Sequence, residues 1–274
     1  PISVPRFFGS FRDMVMNKVT QFKWVPKANA TDIVFKALQP AIRFTKDECL
    51  DLPPMVYVKR EVELTRQQMK YYKLLKTKLI MNITGEQVTA MNSAVGMNKL
   101  LQISAGAVYT DDGETLEFDI QHRYKVLKEV IDESSKKVLV FVPFKHVIDI
   151  LTYKLRSDGI STDVIRGDVS APRRTAIFKQ FQETPNPRVL VIQPQSAAHG
   201  VTLTAANTVV WWSPTSSLET YSQANARVHR SGQTHKCTIV QLQGSAAEKH
   251  VYRLLDNRID VHTKIIELYK ELLD

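Results

Sequence analysis

Val138-Leu139-Val140-Phe141-Val142, Val189-Leu190-Val191-Ile192 and Thr208-Val209-Val210-Trp211-Trp212 are three short apolar runs, and what separates them decides the fold. Pro143 opens a helical pattern that ends near Gly159. Thr162 to Arg166 reads as a strand and Ala171 to Glu183 as a helix. Ser217 to Val228 reads as a helix, Cys237 to Leu242 as a strand, and a long helix closes the chain. A helix over His122 to Ser134 precedes the first run. Short apolar strands alternating with longer helices predict an α/β fold, a parallel sheet covered by helices on both faces. Ligands of such sheets sit beyond the carboxyl ends of the strands. The segments after Val142, Ile192, Trp212 and Leu242 are therefore the places to search.

Residues 1–120 lack this alternation and are read as a mostly helical connecting segment, with residues 121–274 as the sheet domain. Pro5 to Val19 and Ala30 to Leu38 have amphipathic helical spacing, with Asn29 or Thr31 as a cap for the second. Met55 to Leu64 alternates apolar and polar residues, as a strand does. Thr65 is placed to cap a helix from Arg66 to about Met81, and a further helix is expected over Glu86 to Ser104. The turn-rich Asp111-Asp112-Gly113 suits a boundary.

The formal net charge is +9, which suits a polyanionic partner. Cys49 and Cys237 stand far apart, with no CxxC, so neither a disulfide framework nor a zinc site is expected. None of the seven histidines belongs to an HExxH pattern. No apolar run approaches the roughly 20 residues that cross a bilayer. The opening Pro1-Ile2-Ser3-Val4 has neither an initiator Met nor a signal-peptide pattern and is read as an internal start.

The strongest local signal is Gln223-Ala224-Asn225-Ala226-Arg227-Val228-His229-Arg230-Ser231-Gly232-Gln233. Placed on a helix, Arg227 and Arg230 share a face, and Gln223 precedes Arg227 by one turn. Guanidinium groups stay charged and bind phosphate in bidentate fashion, so such a face suits a polyphosphate. Two arginines alone fit a solvated basic helix surface better than a ligand site.

The whole string resembles motif VI of superfamily 2 helicases, and its ending His229-Arg230-Ser231-Gly232-Gln233 resembles the Swi/Snf-type signature. Val138 to Val142 with Pro143-Phe144-Lys145 looks like motif IV. Gly167-Asp168, Arg173, Arg174 and Phe181 resemble the block that follows it. Val189 to Thr204, above all Gly200-x-x-Leu203-Thr204-x-Ala206, resembles motif V, although Gln193-Pro194 stands where the family has Ser-Thr and Ala197-Ala198 where it has Gly-Gly. Ala41 to Glu48, Leu52-Pro53-Pro54, Val58 to Leu64, Gln67 and Tyr71-Tyr72 resemble the stretch joining the two lobes of such enzymes. Trp211 to Arg227 is worded more like phage or prophage members than chromatin remodellers.

The resemblance implies the RecA-like C-terminal lobe of a DNA-dependent ATPase that translocates on double-stranded DNA. Arg230 and Arg227 would be arginine fingers, with Gln223 and Gly200 beside the nucleotide. Phe144, Lys145, Gln193, Gln195 and Thr202 would face the DNA backbone. The implied cofactors are ATP and Mg2+, held mainly by an N-terminal ATPase lobe, which is also the implied protein partner. No metal site and no membrane contact are expected on this chain. The implied location is the bacterial host cytoplasm for a phage protein and the nucleus for a eukaryotic one. An RNA helicase lobe and a non-catalytic nucleic-acid-binding module are the alternatives.

No GxxxxGK[ST] and no Gly-Lys pair occurs, so the chain alone is expected not to hydrolyse ATP. Asp47-Glu48-Cys49-Leu50 mimics a DExx box but lacks the apolar strand such a carboxylate needs, and Asp132-Glu133 ends an amphipathic helix. His199 is read as a solvated loop residue rather than a ligand, and Trp211-Trp212 as core or lobe contact rather than a base-stacking pair. The closing run Ile259, Ile265, Ile266, Leu268 and Leu272 is read as a packed helix face.

Overall fold

Alternate residues of each strand go to opposite faces, and here each face has its own core. Leu139 and Phe141 join Leu190, Ile192, Val209, Trp211 and Ile239 on one side. Val138, Val140 and Val142 join Val189, Val191, Val210, Trp212, Val240 and Leu242 on the other. That period-2 sorting explains why the runs are apolar throughout, since both faces are covered. The computed structural model describes residues 4–40, 51–83, 90–110, 113–197 and 200–259, with Val261, Lys264, Glu267 and Glu271.

Six parallel strands make the sheet: β3 (Met55–Glu61), β6 (Lys137–Phe141), β7 (Thr162–Ile165), β8 (Val189–Ile192), β9 (Ala206–Trp211) and β10 (Cys237–Gln243). Their order is β3-β10-β9-β6-β8-β7, and every neighbouring pair is parallel. Helices α5 (Gln121–Glu133) and α6 (Lys145–Ser157) cover the Val140 face. On the Leu139 face pack α3 (Arg66–Ile83), α4 (Ala90–Ala105), α7 (Ala171–Glu183), α8 (Leu218–Asn225) and α9 (Ala246–Asp256). The expected α/β sheet with helices on both faces is the observed fold.

The strand expected over Met55 to Leu64 forms an edge of this same sheet, paired with β10 from Cys237↔Met55 to Gln243↔Glu61. The chain divides into compact units at Asp51/Leu52. Thr65 caps α3 reciprocally: Gln68 N donates to Thr65 Oγ1 at 3.3 Å and Thr65 N to Gln68 Oε1 at 3.0 Å. Two features went unread in the sequence: an antiparallel pair, β4 (Ala107–Tyr109) with β5 (Thr115–Glu117), and a 3-10 turn over Pro194–Ala197.

In the unit formed by residues 1–51, the helix expected over Pro5 to Val19 stops early. Helix α1 covers Phe8–Val15, and Met16–Lys18 is strand β1, paired antiparallel with β2 (Trp24–Pro26). A turn at Thr20 wins over helical spacing, because the Thr20 hydroxyl accepts from Phe22 N and Lys23 N. Helix α2 covers Ala30–Leu38, as read. Ala41 to Glu48, the DExx-like Asp47-Glu48, Asp111-Asp112, His199, Ile265, Ile266, Leu268 and Leu272 fall on residues outside those described.

Candidate nucleotide and nucleic-acid site

Because all six strands are parallel, their carboxyl ends share one edge. The Phe144-Lys145 turn follows β6, Arg166-Gly167-Asp168 follows β7, and Gln193 to Ala197 follows β8, the neighbour of both. Phe144 is half-buried between the two cores and holds the N-cap of α6; Lys145, the first helical residue, is exposed. Gln193 spans to the β7 loop: its N–H donates to Ile165 O at 2.8 Å, and its Oε1 accepts from Gly167 N at 3.2 Å. Gln195 is exposed on the 3-10 turn. Four of the five expected DNA contacts thus lie on two adjacent loops. Thr202 is exposed elsewhere, in a shallow pocket of about 290 Å³ against α7, with Phe178, Lys179 and Gln182.

Helix α8 starts where Ser217 Oγ accepts from Thr220 N at 3.1 Å, and it ends at Asn225, not Val228. Arg227 N turns back to Ala224 O at 3.1 Å, and Arg227 O accepts from Leu203 N at 2.9 Å. The expectation of one helical face bearing Gln223, Arg227 and Arg230 is therefore corrected. Gln223 is exposed and donates to Glu219 Oε1 at 2.9 Å, while Arg227 lies beyond the helix and is buried.

Residues 200–206 and 226–233 are stitched side by side. Arg230 Nη1 donates to Gly200 O at 3.3 Å and Nε to Ala226 O at 3.2 Å. The Gln233 amide is shared among the carbonyls of Ala206, Val228 and Thr204 at 2.9, 3.0 and 3.4 Å. Gly232, at φ +92°, makes the turn in which Gln233 N reaches Arg230 O at 3.0 Å. His229 Nε2 lies 2.7 Å from Pro53 O. In this signature His229, Gly232 and Gln233 hold the backbone, while Ser231 is exposed.

Arg227 is 3% exposed, and its Nε and Nη1 have no hydrogen-bond partner. Burial, then the neighbouring Arg230 charge, push its guanidinium below the usual arginine range. Neither arginine has a carboxylate partner among the described residues. An anion would supply the missing acceptors.

Other candidates resolve as structure. Trp211 and Trp212 are fully buried; Trp211 Nε1 donates to Asn225 Oδ1 and Trp212 Nε1 to Ala105 O, each at 2.8 Å. Asp168 is bound by Arg166 at 2.9 Å. One buried ion pair had no reading in the sequence: Arg123 Nη2 lies 2.7 Å from Glu248 Oε2, and Arg123 Nη1 also donates to Trp212 O. The Ser245-x-x-Glu248 capping box was a legible signal for one partner; nothing local marks Arg123. Among the described residues no group of three His, Cys, Asp or Glu stands ready for a metal ion.

Residues 122–232, the stretch that bears these segments, match the family described as "Helicase conserved C-terminal domain". The chain superposes on the Sulfolobus solfataricus SWI2/SNF2 ATPase core in complex with dsDNA with a TM-score of 0.63, at 22% identity over 88% of this chain and 54% of that one. It superposes on the C-terminal part of the Fun30 ATPase domain with a TM-score of 0.63, at 18% identity over 81% of this chain and 98% of that one. The CHD3-type chromatin-remodeling factor PICKLE of Arabidopsis thaliana is 25% identical over 92% of this chain. The chain spans between 13% and 30% of the length of the curated relatives it matches. No helix among the described residues is long and apolar enough to cross a membrane.

Proposed function

We propose that this chain is the C-terminal lobe, with its connecting segment 1–120, of an ATP-driven translocase on double-stranded DNA. The observation that carries the reading is the buried Arg227 guanidinium, short of acceptors and next to Arg230, on a loop stitched to residues 200–206. ATP, when bound, supplies a phosphoanhydride whose transferring phosphoryl group is highly charged. Arg227 and Arg230 stabilise that charge as arginine fingers. Gly200 orients Arg230 through its carbonyl, and Gln223 contributes from the exposed end of α8. Mg2+ and the phosphate-binding loop belong to an N-terminal ATPase lobe, the partner in this reading, and the chain alone is inactive.

Lys145, Phe144, Gln193 and Gln195 line the carboxyl edge, where the backbone of DNA would lie, with Thr202 as an outlying contact. Such contacts position the duplex without reading sequence, so affinity falls steeply with salt. A phage or prophage source rests only on the wording of residues 211–227. The host cytoplasm follows for a phage source, the nucleus for a eukaryotic one.

The test is Arg230→Ala in the longer protein. DNA-stimulated kcat falls by roughly 10³-fold or more, on the scale of arginine fingers, while DNA binding is unchanged. Undiminished turnover would remove the finger assignment.

A further inference from the structure

Residues 14–31 contain three lysines, Lys18, Lys23 and Lys27, and no acidic residue. They include the β1–β2 hairpin, whose tip is Val19-Thr20-Gln21-Phe22-Lys23. The tip is well tied: Val19 N and Thr20 N donate to Lys23 O at 2.8 and 3.1 Å, and Thr20 Oγ1 accepts from Phe22 N and Lys23 N at 3.4 and 3.0 Å. It nevertheless presents Phe22 at 89% exposure. Below the tip, Lys18 and Trp24 face each other across the register. Lys18 Nζ lies 5.8 Å, and the Arg12 guanidinium carbon 3.7 Å, from the indole centroid. Covering such a ring would gain about 1.5–3 kcal/mol.

We propose that this hairpin binds single-stranded DNA, with Phe22 stacked on an unpaired base and Lys18 and Lys23 on the flanking phosphates. Charge selects the occupant. Phe7, Phe8 and Phe35 are also exposed, but they lie at or on α1 and α2, which carry Asp13 and Asp32. Among these four phenylalanines, Phe22 alone lies in a stretch that holds lysines and no acid, residues 14–31; the nearest carboxylate, Asp13, is held by Arg12 at 3.3 Å. The unpaired strand is favoured because stacking on an accessible base yields ~1–3 kcal/mol, whereas entering a duplex first costs a few kcal/mol of unstacking. The contact lies in the unit formed by residues 1–51 and does not depend on the arginine assignment.

The test uses the 274-residue chain, a labelled oligothymidylate and a duplex of equal length. Phe22→Ala should weaken single-strand binding roughly 5- to 160-fold, the fold-change of the stacking energy, and leave duplex binding unchanged. Phe22→Trp should restore it. A 2-aminopurine base in the strand should be quenched by the wild type and not by Phe22→Ala. Lys18→Gln and Lys23→Gln should each lower the salt slope by about 0.7. Phe22 is exposed, so Phe22→Ala should melt as the wild type does, and a lowered melting temperature would make the tip structural. Unchanged single-strand affinity would overturn the proposal. So would an equal loss on both DNAs, or self-association that Phe22→Ala abolishes while DNA binding persists. If Lys145→Ala weakens duplex binding while Phe22→Ala does nothing, the hairpin proposal fails and the lobe reading stands; the reverse result separates them the other way.

Discussion

Arg123 and Arg227 are each 3% exposed, and they are buried for opposite reasons. Arg123 on α5 meets Glu248 at 2.7 Å, donates to Trp212 O and lies 5.7 Å from the Trp212 ring centroid. Glu248 Oε2 also accepts from Gly244 N at 2.8 Å and Ser245 N at 3.1 Å. Arg227 has backbone bonds but no acceptor for Nε or Nη1. The desolvation penalty of a buried ion is several kcal/mol, and only at Arg123 does the chain itself offset it. Arg123 is thus paired within the fold, although Glu248 Oε1 has no partner, while Arg227 has no carboxylate beside it among the described residues and keeps two donor atoms that an anion could satisfy.

Glu248→Ala leaves Arg123 buried and uncompensated, and should cost about 3–5 kcal/mol in a urea titration of the chain. Adding Arg123→Met to Glu248→Leu should recover most of that loss, because well-packed apolar residues often replace a buried pair at little cost. A Glu248→Ala cost near that of a surface substitution would mean that solvent reaches Arg123 and that the two arginines differ little.

Gly244 sharpens the same region with a smaller effect. A Cβ there would stand 2.8 Å from Arg123 Nη2, 3.0 Å from Val62 O and 3.1 Å from Leu64 Cδ2. The Val62 carbonyl is backbone and cannot yield easily, so Gly244→Ala should destabilise by about 1–3 kcal/mol. Thermal melting would show it. A neutral result would mean that Arg123 has room to move and that its pairing is looser than its burial implies.

The sequence made the sheet legible because periodicity is local: Val189–Ile192 and Ala171–Glu183 have the bounds their patterns predict. Helix ends were less legible where side chains intervene, as at Thr20, or where a distant strand captures the backbone, as Leu203 N captures Arg227 O. That capture also hid the burial of Arg227, since helical spacing said only that Gln223, Arg227 and Arg230 share a face. The roles of His229 and Gln233 depend on Pro53, Thr204 and Ala206, which no local pattern brings near. Arg123 finds Glu248 only through the fold. Candidate residues could thus be named from sequence, but which of them are satisfied within the chain could not.

Arg227→Met carries the smallest expected change in stability and the sharpest difference in sign. Methionine keeps a flexible apolar stem in place of the guanidinium. At Arg123 the same substitution would strand Glu248 as an unpaired buried carboxylate and destabilise the chain. At Arg227 no carboxylate is left behind, and a buried charge with two unpaired donor atoms is removed. The 274-residue chain should therefore be unchanged or gain up to about 1 kcal/mol, the low end of what apolar replacement of buried ions yields. Inorganic pyrophosphate supplies the ligand arm of the experiment. An anion that binds only the folded state raises stability by RT ln(1 + [L]/Kd), about 2.7 kcal/mol at a hundredfold excess over Kd. Pyrophosphate should raise the melting temperature of the wild type and leave Arg227→Met unmoved. If Arg227→Met destabilises as strongly as Glu248→Ala, Arg227 is a structural cation whose acceptors the folded chain supplies. If pyrophosphate stabilises both proteins equally, the anion binds elsewhere and the unpaired guanidinium is not its receptor.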